Sequence, residues 1–271
     1  MDKKIIFIDI DGTLLSHTQG ISPKSIEAIS AARENGHLVF LNTGRSKSYS
    51  QAFLNLPVDG FIFGAGAHVE INKKTLYNLS IDHNDMVEMI KLLKNNQLIL
   101  VFEGSEKSYF SNEALVFFEK IFEKRLAENN QKVLKYHVTK EIFNDLDSYL
   151  VDSTPINKMT IYFKDAADYQ FLKDFLADRY SFIMYDRAAE IVVKGINKFK
   201  GIEEVCNYYK HPIENTIAFG DSYNDYEMIK FAGVGVAMAN SHPDILELAD
   251  LVTNSVDDDG IYYGFKKLEL I

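Results

Sequence analysis

The six residues Ile5 to Ile10, IIFIDI, constrain the fold more than any other stretch of the chain. They are apolar and rich in β-branched side chains, without the polar alternation of a half-solvated strand. Such a run reads as a strand buried on both faces, as in a parallel sheet covered by helices. Asp9 interrupts it near the end, and Asp11, Gly12 and Thr13 follow at once. The strand therefore delivers a polar cluster to its C-terminal end. Ser22-Pro23 then sets an N-cap before a first-turn proline, Ile26, Ile29 and Ala32 recur at helical spacing, and Gly36 stops the helix. Residues 37–42 read as a second strand that closes on Thr43-Gly44-Arg45, followed by a helical stretch over 46–54 and a third strand at 61–63. Strand, helix, strand, helix, strand is the pattern of a doubly wound, Rossmann-like α/β domain with parallel strands.

From about residue 83 the texture changes to longer, more charged amphipathic helices, at 84–95 and 112–128, interleaved with strands at 98–102, 158–163 and 182–185. After about residue 188 the first pattern returns: a helix over 197–209, a strand at 216–219, the polar loop Gly220 to Asp225, a helix reaching Ala232 and a strand at 234–237. The expected organisation is a catalytic core made of residues 1–82 plus 189–271, interrupted by an α+β domain over 83–188.

Charge narrows the partners. Lys and Arg total 29 against 39 Asp and Glu, a net charge of −10. A phosphate backbone would meet repulsion over most of such a surface, so nucleic acid is not an expected partner. A small anion needs only one local positive site and is not excluded. The single cysteine, Cys206, rules out an internal disulfide and reads as a buried structural thiol. Met1 to Ile10 is too short an apolar run for a signal peptide or a membrane span, and no membrane partner is expected. Together these features predict a cytoplasmic protein. Its oligomeric state leaves no trace in the sequence.

Three strands each end in a polar cluster, and in an open parallel sheet ligands bind in the crevice outside the carboxyl ends of the strands. Asp9 and Asp11 lie two residues apart, so a continuing strand would point both carboxylates to one side. Two carboxylates in one small site require a cation between them or a split pair of pKa values. Asp221 and Asp225 add two more at the same face of the sheet, and hard oxygen ligands of this kind suit Mg²⁺. Lys198 at a helix start brings a positive charge, and Thr43 a hydroxyl donor. Nucleophile, acid, metal and charge clamp are the parts of a phosphoryl-transfer site.

Asp9-Ile10-Asp11-Gly12-Thr13-Leu14, Thr43 within Asn42-Thr43-Gly44-Arg45, Lys198, and Gly220-Asp221-Ser222-Tyr223-Asn224-Asp225 resemble, in order, the four motifs of the haloacid dehalogenase (HAD) superfamily. The middle segment has the size and place of the large α/β cap of its Cof-type sugar-phosphate phosphatases, subclass IIB. One departure stands out: Phe199 follows Lys198 where this family often has Gly, and Lys200 competes for the same role.

The resemblance implies a Mg²⁺-dependent phosphomonoesterase acting on small phosphorylated metabolites, sugar phosphates above all. Asp9 would attack phosphorus and carry an aspartyl-phosphate. Asp11 would serve as acid and then base, which calls for a pKa raised towards neutrality. The metal would be held by the Asp9 carboxylate, the Asp11 backbone carbonyl and Asp221, with Asp225 bracing its waters or Lys198. Gly12 and Gly44 would leave room beside the phosphate, and Thr43 and Asn224 would hydrogen-bond the phosphoryl group. A phosphomutase using the same aspartyl-phosphate is the nearest alternative. A non-catalytic phosphate-sensing module is a further one, although a sensor has no need of the leaving-group acid Asp11.

Other features have plainer readings. Asp257-Asp258-Asp259-Gly260 lacks EF-hand spacing and is expected to cap the last helix. His17, His37, His68 and His242 show no metal-ligand spacing. Gly64-Ala65-Gly66-Ala67 is either a turn or the wall of a leaving-group pocket.

Overall fold

The structure, a computed structural model, describes residues 3–93, 99–128, 130–136, 142–163, 178–184 and 187–271, with Gln170 and Asp174 besides. The ends of three expected elements, residues 94–95, 98 and 185, lie outside these. In chain order the first seven strands are β1 (Ile5–Ile8), β2 (Leu15–Ser16), β3 (Gly20–Ile21), β4 (Leu38–Asn42), β5 (Gly60–Phe63), β6 (His68–Ile71) and β7 (Lys74–Asn78). Six follow in the middle of the chain: β8 (Ile99–Gly104), β9 (Ser108–Phe110), β10 (Phe143–Asp145), β11 (Ile156–Tyr162), β12 (Tyr180–Met184) and β13 (Ala188–Val193). The last three are β14 (Thr216–Gly220), β15 (Val234–Ala237) and β16 (Leu251–Val252).

The larger sheet has the order β16-β15-β14-β1-β4-β5-β6-β7. Every pairing from β16 to β5 is parallel. β1 is buried throughout, with apolar layers on both faces: Ile6 and Ile8 on one side, Ile5 and Phe7 on the other. From β1 the chain winds outward one way through β4 and β5 and later the other way through β14, β15 and β16. The order of strands therefore reverses at β1 and β14, and a crevice opens outside their carboxyl ends. The strands β6 and β7 had no expected counterpart, but the hairpin alternative for Gly64-Ala65-Gly66-Ala67 holds, since β5 and β6 pair antiparallel across it. The two strands arise because Gly64–Gly66 turns the chain straight back after β5, and Asn72 and Lys73, both at positive φ, turn it again.

The expected helix over 46–54 is a 3₁₀ segment, Ser48–Phe53. Its serines compete for the backbone, as where Ser50 Oγ donates to the Ser46 carbonyl at 2.9 Å. The helix expected to reach Ala232 is likewise a 3₁₀ turn, Tyr223–Asp225, followed by a short α-helix, Tyr226–Phe231.

The smaller sheet runs β10-β9-β8-β11-β13-β12; its pairings from β9 to β12 are antiparallel, and β10 pairs parallel with β9. One face packs its own core: Leu100, Phe102, Met159, Ile161 and Ile191 against the helix His83–Leu93 and Tyr149 of the helix Leu146–Asp152. The predicted junction after residue 188 falls at the first residue of β13. Among the described residues no helix is long and apolar enough to cross a membrane.

Candidate active site

The β1 ladder continues one residue past the strand, with the Asp9 amide donating to the Phe219 carbonyl at 3.0 Å. This fixes Asp9 beside the end of β14, and its side chain is buried. Lys198 opens the helix Lys198–Tyr209, whose N-cap Asn197 accepts a bond from the Lys200 amide. The Lys198 side chain is completely buried, with Nζ donating to Asp9 Oδ1 and to Asp225 Oδ1, both at 2.5 Å. Asp225 in turn accepts the Asp221 and Ser222 amides on Oδ2, each at 3.0 Å. One lysine thus ties the first strand's aspartate to the loop after β14. Lys200, the competing lysine, is half-exposed and pairs with Glu203 and Glu204 on its own helix.

Asp221 faces Asp9 from the other strand end. Thr13 Oγ1 donates to its Oδ1 at 2.9 Å, and the loop before Thr13 comes so close that a Cβ on Gly12 would stand 2.3 Å from Asp221 Oδ2. Gly12 also has φ +84°, so no other residue fits that position unstrained. Carboxylate oxygens of Asp9, Asp221 and Asp225 all lie within 4.8 Å of one another.

The electrostatics follow from this crowding. Burial, together with Asp225, Asp221 and Asp11, pushes the Asp9 carboxyl well above its ordinary value although Lys198 pulls it down. Burial and then Asp225 push Asp221 up to about 7. Burial would lower the Lys198 ammonium, but Asp225 and Asp9 outweigh it and hold it charged. One lysine does not neutralise three carboxylates, and the remaining excess of hard oxygen donors is what a divalent cation such as Mg²⁺ fits.

Asp11 departs from expectation. Burial would raise its carboxyl, yet the Arg45 guanidinium outweighs that and holds it below the ordinary value. Arg45 grips both oxygens, Nε to Oδ2 and NH2 to Oδ1, each at 2.6 Å, while NH1 donates to the Tyr136 carbonyl at 3.0 Å. The Asp11 carboxylate is therefore taken up by Arg45, while its charge still acts on Asp9 and Asp221. Only its backbone carbonyl is left as the donor expected for a metal.

Thr43 is buried, and its hydroxyl accepts the Arg45 amide at 3.1 Å, with the O–H still able to donate. Gly44 lies beside Asn224: a Cβ there would be 3.2 Å from Asn224 Nδ2. Gly64–Gly66 packs on the start of the Lys198 helix, where a Cβ on Gly66 would stand 2.0 Å from the Asn197 carbonyl oxygen, so it braces that helix. Asp259 precedes the last helix, Gly260–Lys267, but its carboxylate goes to Ser22 and Lys24 instead of capping the helix.

Two residues that flank Thr43 in the second motif have roles that the motif did not assign. Asn42, the last residue of β4, donates to the Lys198 carbonyl at 3.0 Å and positions that helix start. Arg45, which its sequence position alone would allow to be a solvated first-turn charge, binds Asp11 instead. For Asn42, a polar residue closing an otherwise apolar strand was the available signal.

Residues 6–265 match the family model of the haloacid dehalogenase-like hydrolases. The chain belongs to this family. Within it, the chain is 26% identical over 269 residues to 5-amino-6-(5-phospho-D-ribitylamino)uracil phosphatase YitU of Bacillus subtilis, covering 95% of this chain and 94% of that one. Among solved structures it resembles the HAD phosphatase BT1666 from Bacteroides thetaiotaomicron, with TM-score 0.82 and 25% identity over 99% of this chain and 96% of that one. It also resembles the HAD subclass IIB sugar phosphatase BT4131, with TM-score 0.79 and 27% identity over 99% and 100%. The fold is accordingly that of a HAD hydrolase, a parallel-sheet core combined with a second α+β sheet.

Proposed function

We propose that this HAD hydrolase is a Mg²⁺-dependent phosphomonoesterase for small phosphorylated metabolites, sugar phosphates foremost, working through an aspartyl-phosphate on Asp9. The observation that carries the reading is the convergence of Asp9, Asp221 and the Asp225-held Lys198 at the carboxyl ends of β1 and β14. The names of the relatives support the substrate class, since one is a sugar phosphatase and another acts on a phosphoribityl compound.

Asp9, with Asp221 and the Asp11 carbonyl, would hold the cation. When bound, it neutralises phosphoryl oxygens and relieves the repulsion between the carboxylates. A carboxylate oxygen of Asp9 attacks phosphorus and the bond from phosphorus to the leaving oxygen breaks, with Asp11 giving that oxygen its proton. Water then attacks the aspartyl-phosphate, Asp11 takes the water's proton, and phosphate leaves with Asp9 restored. Lys198 holds Asp9 in line and adds positive charge. Thr43 and Asn224 donate to the phosphoryl oxygens. Asp11 acts only once the Arg45 fork releases it, and the same arginine reaches the Tyr136 carbonyl, so release is coupled to the segment carrying Tyr136.

Residues from about 83 to the end of β13 form the cap of this proposal, closing over the crevice and excluding water. Contact is already made where Ser48 and Ser108 share a hydrogen bond at 2.9 Å. A cytoplasmic setting belongs to the same proposal and rests on the lone, buried Cys206. The test is phosphate release from a panel of sugar phosphates with Mg²⁺ or EDTA. Metal-dependent release that Asp9→Asn abolishes supports the reading, and transfer to a sugar acceptor without free phosphate overturns it in favour of a mutase.

A further inference from the structure

β15 is a parallel strand whose carboxyl end lies at the same edge as those of β1 and β14, with its Ala237 beside Gly220. The chain leaves it through Met238-Ala239-Asn240-Ser241-His242 and enters a short helix, Pro243–Leu248. This loop directs its polar groups at the two segments that carry the strand-end carboxylates. The Met238 amide and the Ser241 hydroxyl donate to the Gly220 carbonyl at 3.1 and 3.3 Å, and the His242 amide donates to the Asp221 carbonyl at 3.1 Å. The Asp221 backbone is thus held from the side of β15, while its side chain is held from the side of β1 by Thr13.

Asn240 ties the two segments together. Its Nδ2 donates to the Gly12 carbonyl at 2.9 Å, and its Oδ1 accepts the Val256 amide at 2.8 Å. A backbone carbonyl only accepts and a backbone amide only donates, so these partners fix which way the side-chain amide points. Asn240 is exposed, and burial in a core does not account for its place. Gly12 is the residue at φ +84° that packs against Asp221. Its own amide donates to the Leu15 carbonyl at 3.0 Å, which orients the peptide before it, and Asn240 orients the peptide after it. Peptides are planar, so tying both planes sets the directions of the Asp11 carbonyl and of Thr13. The first is the backbone donor expected for the cation, and the second carries the hydroxyl on Asp221 Oδ1.

We propose that Asn240 is a positioning residue for the cation site: by holding the Gly12 carbonyl it aims the Asp11 carbonyl and, through Thr13, the Asp221 carboxylate, so that Mg²⁺ affinity depends on it. The inference rests on the cation site of the phosphomonoesterase reading. Groups that orient metal ligands contribute to affinity without bonding the metal, and a bond made only to backbone leaves the donor set itself unchanged when it is removed.

The experiment uses the full chain and reads Mg²⁺ dissociation constants by calorimetry on the substrate-free protein, beside phosphate release from the sugar-phosphate panel. Asn240→Ala should weaken Mg²⁺ binding by about ten-fold. Excess metal refills a site whose donors are all present, so kcat at saturating Mg²⁺ should return close to the parental value. Thr13→Val, which removes the hydroxyl bond to Asp221, should weaken binding by itself. The double variant should lose less than the product of the two single losses, because both act on one turn. Parental affinity in Asn240→Ala overturns the inference, as do losses that simply multiply or a kcat that excess Mg²⁺ does not restore. None of these outcomes touches the phosphatase reading, which stands on metal-dependent release. A parent that binds Mg²⁺ but hydrolyses no ester overturns that reading alone, and the affinities still decide this one. A parent that binds no Mg²⁺ overturns both.

Discussion

The two sheets each hold a lysine between two carboxylates, and the pair teaches how position decides what such a trio does. In the larger sheet Asp9, Lys198 and Asp225 meet beyond the strand ends, at 2.5 Å on both sides, with the lysine sealed from solvent. In the smaller sheet Glu103, Lys158 and Glu190 meet in mid-sheet on adjacent strands, at 3.2 and 2.7 Å. The first trio has every member fixed by backbone as well: Asp9 by the ladder, Asp225 by two amides, Lys198 by the Asn42 amide on its carbonyl. One is held on every side, and the other keeps a buried carboxylate oxygen without a hydrogen-bond partner among the described residues.

The comparison breaks first at Asp9. Asp9→Asn should keep the fold and lower turnover by about 10⁴-fold or more, since a nucleophile has no substitute in the site. Steady-state phosphate release measures it, and residual turnover within ten-fold of the parent would move the reaction elsewhere. Lys198→Met should cost stability as well as activity, because it leaves two buried carboxylates without their cation, about 3–5 kcal/mol by chemical denaturation. Lys158→Met, which makes the same change in the second trio, should cost less, because Glu190 has access to solvent. A larger loss at Lys158 than at Lys198 would reverse the ranking of the two trios.

The contrast also explains what was legible. The first trio sits at strand ends and a helix start, Asp9 just ahead of Asp11-Gly12-Thr13, Asp225 within the loop that opens on Gly220 and Lys198 at the head of its helix, and that local company marks it. Lys158 and Glu190 lie inside strands and their meaning depends on register with β8, which periodicity does not supply. Glu103 is the last residue but one of β8, whose predicted end fell one residue short of it. The parallel order of β1, β4 and β5 followed from the alternation of elements, and the glycines of Gly64-Ala65-Gly66 marked the turn after β5, whereas the second turn rests on Asn72 and Lys73 at positive φ, where only Asn72 carries a turn signature. Arg45 took hold of Asp11 through a contact 34 residues away in sequence, beyond the reach of local pattern.

Protons should separate the trios next. Asp221, raised to about 7 by burial and Asp225, keeps its proton in the folded protein at pH values where the unfolded chain, near 3.8, has lost it. The metal-free folded state therefore binds more protons across that window, and this group's contribution to stability falls as pH rises from about 4 to 7. A divalent cation must displace the same proton. Apparent Mg²⁺ affinity, read from thermal shift or calorimetry, should strengthen with pH up to about 7 and level off above it. Asp221→Asn should weaken that dependence, with the raised Asp9 carboxyl left to supply the rest, and affinity independent of pH in the parent would remove Asp221 from the cation site.

The smallest effect belongs to a third lysine pairing, which serves as a control on both trios. Glu70 accepts from Lys47 at 2.5 Å and lies 3.2 Å from His68, and the His68 bond, followed by Lys47, lowers its carboxyl to about 2 despite burial. A lowered pKa contributes stability that is fully present above the ordinary 4.5 and is lost as pH falls towards 2. With Lys47 partly exposed, screening keeps the contribution to about 1 kcal/mol. Glu70→Gln should therefore flatten part of the acid limb of a denaturation-against-pH curve, and above pH 5 it should lower stability by that constant small amount. Because Glu70 touches neither the strand-end carboxylates nor the polar face of the smaller sheet, turnover should stay at the parental value. If this substitution instead lowered turnover as much as Lys198→Met does, charge anywhere near the cleft would be tuning the reaction, and the strand-end trio would lose its special place.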